Sequence, residues 1–267
     1  MVAVADTSTT AVVTAAPRVR RIGVADLHWA LREGWRDFGE LRGDILLVGF
    51  VYPLVVLVAA VVALGGDLFP LMAPIVGGLA LLGPLLAVGF YELARRREDG
   101  RDAGWGHFLD PFRGPSRREI VALGAMVAVL FTAWLGVAWI VYENTLGRLE
   151  LSGPGPFLAA LFTTAEGWRM MLVGNLIGLG FAIVVLAATV ASFPMLVDGR
   201  THASEAVATS LEATRRNPAT VGLWGFYIAA LLTVACIPLF IGLAVALPVL
   251  GYASWHLYTR LVDRDGS

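Results

Sequence analysis

The chain contains no lysine, one cysteine and four histidines. Without lysine, every fixed cation is a guanidinium, so the 20 arginines alone carry the positive-charge signal. The single cysteine, Cys236, cannot close an intramolecular disulfide. No CxxC or Cys/His spacing accompanies it, so thiol redox chemistry and structural zinc find no ligand set. Charge is scarce as well, at 15% of residues where a soluble domain carries about 25%. Hydrophobic residues make up 57%, and the mean hydropathy is +0.73. Such a balance fits a chain whose residues mostly face lipid or other helices, where ions are costly. No HExxH motif, glycine-rich phosphate loop after a strand, or nucleophile–base arrangement at membrane depth is present. Residues 1–22 lack the basic start, unbroken apolar run and cleavage site of a signal peptide, and are expected to form a disordered cytoplasmic tail.

What is abundant is long apolar sequence. Six stretches stand out: Ile45–Leu64, Pro70–Ala94, Ile120–Tyr142, Met170–Val197, Ala219–Cys236 and Ile237–Tyr258. Each is roughly 18–28 residues long, and a bilayer core needs about 20 residues of helix. The expected fold is therefore an all-α polytopic bundle of six transmembrane helices within residues 23–262, followed by a short cytoplasmic tail at 263–267. Arginine orients it. Eighteen of the 20 fall in the N-terminal segment, the second and fourth loops and the C-terminus; only Arg148 and Arg169, in the third loop, fall on the other side. Short basic loops stay cytoplasmic, which predicts both termini inside. Ser116-Arg117-Arg118-Glu119 and Thr163-Thr164-Ala165-Glu166 read as capping boxes before the third and fourth spans. Asn217-Pro218 reads as an N-cap and first-turn proline.

Cytoplasmic amphipathic segments precede the spans. Over Val24–Phe38, Val24, Leu27, His28, Leu31, Trp35 and Phe38 recur at helical steps, opposite Asp26, Arg32, Glu33, Arg36 and Asp37. This pattern predicts a helix in the headgroup plane, with Trp35 and Phe38 as interfacial anchors. Trp105 heads a shorter version, and Ala206, Val207 and Leu211 form a stripe in a third. The order of one amphipathic segment and two spans recurs three times. Pro74 to Pro84 also matches Pro238 to Pro248 at constant offset, each with an internal Gly-Leu-Ala, as parallel repeats would. Prolines inside the spans suggest kinked helices around a cavity.

Ionisable residues are nearly missing from the spans. Asn175 is the best polar candidate at membrane depth, with Tyr52, Thr132, Thr189 and Ser192 behind it. Glu92 and His256 end the second and sixth spans at matching repeat positions. If adjacent, they could form a carboxylate–imidazole pair serving as gate or clasp.

Several of these stretches carry a family resemblance: Ala25-Asp26-Leu27 with Gly34-Trp35-Arg36-Asp37-Phe38; Leu82-Gly83-Pro84 with Tyr91-Glu92-Leu93; Ser192-Phe193-Pro194; Leu247-Pro248-Val249-Leu250-Gly251; and Trp255-His256-Leu257-Tyr258. Through them the chain resembles an uncharacterised bacterial family of six-span integral membrane proteins, from about Ile22 to Val262. Some members bear the label of cytochrome c oxidase subunits, which implies a respiratory-complex connection. The histidines that haem–copper catalysis requires are not in these spans.

Two functions compete. One is a non-catalytic accessory, assembly or scaffold protein, without cofactor, metal or nucleic acid, partnered by the bilayer and by a homo-oligomer or membrane complex. The other is a small transporter or channel with a cavity near Asn175 and Tyr52 and a cytoplasmic gate at Glu92 and His256. A lipid-modifying enzyme is a third reading, for which no catalytic constellation is visible.

Overall fold

A computed structural model describes residues 18–40, 69–151, 153–199, 201–238 and 240–264. Among these there are helices and 3-10 turns but no strand, and one isolated antiparallel bridge joins Val19 to Val262. The expected first span and Tyr52 lie outside the described residues. Four stretches are long and apolar enough to cross a bilayer: Phe69–Glu98, Arg117–Glu143, Ala165–Asp198 and Pro218–Cys236. They coincide with the second to fifth expected spans.

The first of these is segmented. Helices α2 (Met72–Leu79), α3 (Gly83–Leu86) and α4 (Val88–Glu98) are separated by a 3-10 turn at Ala80–Leu82 and a turn residue at Ala87. Pro84 supplies the reason for one break, since it has no N–H to continue the ladder. Helix α5 (Arg117–Glu143) is unbroken. Ser116 precedes it, but its side chain makes no cap. Glu119, its expected reciprocal partner, instead accepts a hydrogen bond from the Ala203 amide at 2.7 Å. The capping box is thus overruled by a tertiary contact.

A short helix, α6 (Pro154–Thr163), turns into α7 (Ala165–Thr189). Thr164, one residue later than expected, is the N-cap, its Oγ1 accepting from the Gly167 amide at 3.0 Å. Pro194 cannot continue the helix, and the chain breaks at Val190 and Ala191 before α8 (Ser192–Asp198). Ser210 repairs the gap. Its buried hydroxyl accepts from the Ala191 amide at 3.2 Å and donates to the Ala187 carbonyl at 2.8 Å. A side chain from another helix thereby supplies what a membrane interior cannot.

Ser210 belongs to α9 (Ala203–Arg216), which leads through Asn217 into α10 (Pro218–Cys236). Asn217 does not cap α10 through its side chain. Its Oδ1 accepts from the Ile22 amide at 2.9 Å, and its Nδ2 donates to the Arg20 carbonyl at 3.0 Å. The Arg20 amide also donates to the Leu261 carbonyl, and the Asp263 amide to Arg18. The end of the expected disordered tail is therefore strapped to the fold.

The last expected span is partly corrected. Residues 237 and 238, and 240–242, are turns, and α11 (Leu243–Leu261) starts six residues later than the apolar run. It is less apolar than the other four, yet 12 of its 19 residues are buried. Trp255, Tyr252 and Leu257 are fully buried, each contributing about 1.5–3 kcal/mol on the usual scale for water-solvated cores. The two stretches paired as repeats also differ locally. One crosses α2, the 3-10 turn and α3; the other is a turn that becomes α11.

Helix α1 (Val24–Glu40) packs along α11, and the face it turns to that helix is not its aromatic stripe. Its buried face is Leu27, Ala30, Gly34 and Asp37, while Val24 and Trp35 are 46% and 59% exposed. The shift has a steric cause. A Cβ on Gly34 would sit 2.7 Å from both the Ala253 amide nitrogen and the Val249 carbonyl oxygen, so glycine lets the backbones touch. Helix α9 repeats this logic, burying Ala206, Thr209, Ser210 and Ala213.

These helices, with α4, α8 and the start of α5, enclose the principal core on the arginine-rich side. A small satellite of Phe69, Leu146, Phe157 and Ala160 closes the other end. The intervening exterior is apolar, with Val129, Leu172 and Phe226 more than 60% exposed, as expected where lipid is the solvent.

Candidate functional site

Between these two clusters lies a cavity of about 1090 Å³. It is walled by the segmented α2–α4 stretch, α5, α6, α7, α10 and residues 247–254 of α11. Among the described residues, none of its lining side chains is charged. Asn175 lines it, donating through Nδ2 to the Met171 carbonyl at 2.7 Å. Thr189 donates to Val185 at 2.7 Å, Ser254 to Leu250 at 2.7 Å, and the Trp134 indole to Pro74 at 2.9 Å. The donors in the wall are thus largely spent on nearby backbone, leaving a surface suited to apolar matter.

The ionisable candidates lie outside this wall. Glu92 is 2% exposed at the end of α4, its carboxylate held by Arg95 and Arg96 at 2.7 Å each. Arg96 continues to Asp110 at 2.7 Å, and Asp110 to Nδ1 of His107 at 2.7 Å. The His107 hydrogen bond, followed by the charges of His107, Arg96 and Arg113, holds the Asp110 carboxyl below its usual range.

His256 has a different carboxylate. Its Nε2 lies 2.8 Å from Oδ2 of Asp37, which is 3% exposed on the buried face of α1. Arg97 completes the group with Nη1 2.7 Å from Oδ1 of Asp37, a charge contact lacking hydrogen-bond alignment. Arg97 also binds Glu40, and this hydrogen bond lowers the Glu40 carboxyl from its ordinary value. The expected Glu92–His256 pair is accordingly replaced by two clasps. One joins α4 to the loop after it; the other joins α1, α4 and α11.

A third clasp gathers Asp198, Glu98 and the C-terminal Arg264. Arg264 reaches Glu98 at 2.6 Å and Asp198 at 3.2 Å, while Tyr258 donates to Asp198 and the Trp255 indole to Glu98 at 3.0 Å each. The same guanidinium lies 5.5 Å from the centre of the Trp255 ring.

Of the expected interfacial anchors, Trp35 is exposed, with its ring centre 5.9 Å from that of the half-buried Phe38. Trp105 instead packs into protein, stacked on Phe108 at 5.0 Å and edge-on to Phe90 at 6.0 Å. Asp37, Arg97, Asp198 and Ser210 were missed from sequence. Asp37 carried a readable signal, because it falls one turn after Gly34 on the small-residue face of α1.

Residues 71–198 match the family model described as a predicted integral membrane protein, DUF2189, whose function is unknown. No curated protein and no solved structure matches the chain. The matched stretch runs from the segmented first helix to the end of α8, and over it the chain is similar to the DUF2189 family of predicted integral membrane proteins.

Proposed function

We propose that this protein is a non-catalytic component of the bacterial inner membrane, serving a membrane complex as an accessory, assembly or scaffold subunit. The observation that carries this reading is the separation of charge from cavity. Glu92 and His256, the residues best suited to gate a polar path, are engaged in clasps, while the described residues of the cavity wall carry no charge. In this reading six helices span the bilayer, Ile45–Leu64 and the last apolar run being the first and sixth. Both termini are cytoplasmic, as the arginine distribution favours. Three charged clasps then stiffen the cytoplasmic face into a platform for a partner.

Gentle detergent extraction followed by affinity purification tests the idea. Stable recovery within a defined membrane complex or homo-oligomer is the expected outcome; a persistent monomer that moves a solute in vesicles refutes it. One observation favours transport, namely that Asn175 does line the cavity. Solute flux abolished by Asn175→Leu would make that second reading the better one.

A further inference from the structure

We infer that the central cavity is a binding site for the acyl chain of a bilayer phospholipid. Its volume, about 1090 Å³, stands at the top of the roughly 300–1,000 Å³ range of small-molecule sites and is far beyond the voids that close-packed interiors leave. Its shape is elongated. Both Met170 and Thr189 of α7 line it, and at 1.5 Å per residue they are about 28 Å apart, near the hydrocarbon thickness of about 30 Å.

Chemistry narrows the occupant. With no charge among the described wall residues, and with Asn175, Thr189 and Ser254 donating to backbone carbonyls, water or a hydrated ion would lose hydrogen bonds on entry that this wall replaces poorly. A hydrocarbon chain loses none. The source follows from access: Leu158, Leu179, Ile183 and Phe226 line the cavity while remaining 47%, 57%, 57% and 66% exposed. Wall and outer surface are therefore continuous, and at this depth the outside is lipid. Glycine creates the width. An added Cβ at Gly77, Gly174 or Gly222, all wall residues, would meet no atom within 4 Å.

The test uses the full chain in vesicles of phosphatidylethanolamine and phosphatidylglycerol containing a phosphatidylglycerol with a mid-chain diazirine. The protein is extracted, washed in lipid-free detergent until loosely held lipid is removed, and then irradiated. About one lipid per chain should remain, in keeping with the cavity's size. Its adducts should fall on wall residues such as Met171 and Leu232, and not on the outward Leu172 and Leu176. Gly174→Phe should lower retained lipid about tenfold, the equivalent of blocking one site. Gly180→Phe, equally unobstructed but outside the wall, should leave it unchanged.

Adducts spread evenly over Leu172, Leu176 and the wall would overturn the inference, as would equal lipid retention in both variants. Should Gly174→Phe fail to fold, the adduct map of the unaltered chain decides alone. In a Cys236→Ala background, a disulfide from Gly174→Cys to a cysteine placed within residues 45–64, or to a second copy, would also overturn it by showing protein in the cavity.

Discussion

Gly34→Ala distinguishes two arrangements of α1 by the sign of its effect. If α1 lay free in the headgroup plane, replacing a mid-helix glycine by alanine would stabilise it by about 1 kcal/mol, the difference in helix propensity. In the structure the new methyl meets the backbone of α11, 2.7 Å from the Ala253 nitrogen and the Val249 oxygen. Ordinary carbon contacts lie at about 3.5–4.0 Å, so α1 must retreat by about 1 Å. Neither neighbour is a side chain that can swing aside, which puts the overpacking cost near the top of the usual 1–3 kcal/mol. Subtracting the propensity gain leaves a net destabilisation of about 2 kcal/mol. Gly39→Ala on the same helix, where nothing lies within 4 Å, should be neutral or mildly stabilising. Reversible unfolding in mixed micelles, followed by tryptophan fluorescence, reads both. A Gly34→Ala variant as stable as the parent would refute the docking of α1 on α11.

Other predictions concern the clasps and the helix break. Asp37→Ala and His256→Ala should be coupled by about 0.5–3 kcal/mol in a double-mutant cycle, whereas Glu92→Ala and His256→Ala should add within about 0.5 kcal/mol. Ser210→Ala leaves the Ala191 amide and the Ala187 carbonyl without their bridge, and should cost about 1–3 kcal/mol in the same unfolding assay. For Asp110, the folded carboxyl titrates below the unfolded value of about 3.9, so its contribution is complete above that pH and is lost as pH falls through the folded value. Protection of the loop around Trp105 against hydrogen exchange, measured relative to intrinsic rates, should fall on the acid side of about pH 4, and Asp110→Asn should make that loss smaller.

How much was legible follows from which residues carry the signal. Spans two to five were readable because lipid demands long uninterrupted apolarity, and their arginine borders reappear at Arg95, Arg117 and Arg216. The break at Pro84 was legible for the same reason: a missing N–H is a local fact. The docking of α1 was not, because hydrophobic periodicity gives weight to Trp35 and Phe38 and none to Gly34, whose contribution is the volume it does not occupy. Glu92 and His256 were expected to meet each other, but their partners come from α1 and from residues three and four positions along α4. Pairing of that kind depends on tertiary geometry. Ser116 and Glu119 show the converse, a sound local motif whose acid found a better partner in the Ala203 amide. A cavity was legible in Pro74, Pro84 and Pro248 inside the spans and in Asn175, all of which line it, whereas the room opened by Gly77, Gly174 and Gly222 was not, because it is volume that no side chain occupies.

The claim on which the account most depends is that the space beside Asn175 belongs to hydrocarbon and not to water. Its direct measurement is alkylation of Asn175→Cys, in a Cys236→Ala background, within sealed membranes. The account predicts no reaction with a charged maleimide from either side and only slow labelling by an apolar one, because a thiol in hydrocarbon does not ionise. The same cysteine should label fully once the protein is unfolded in detergent. Rapid modification by the charged reagent, slowed by a transported solute, would contradict it.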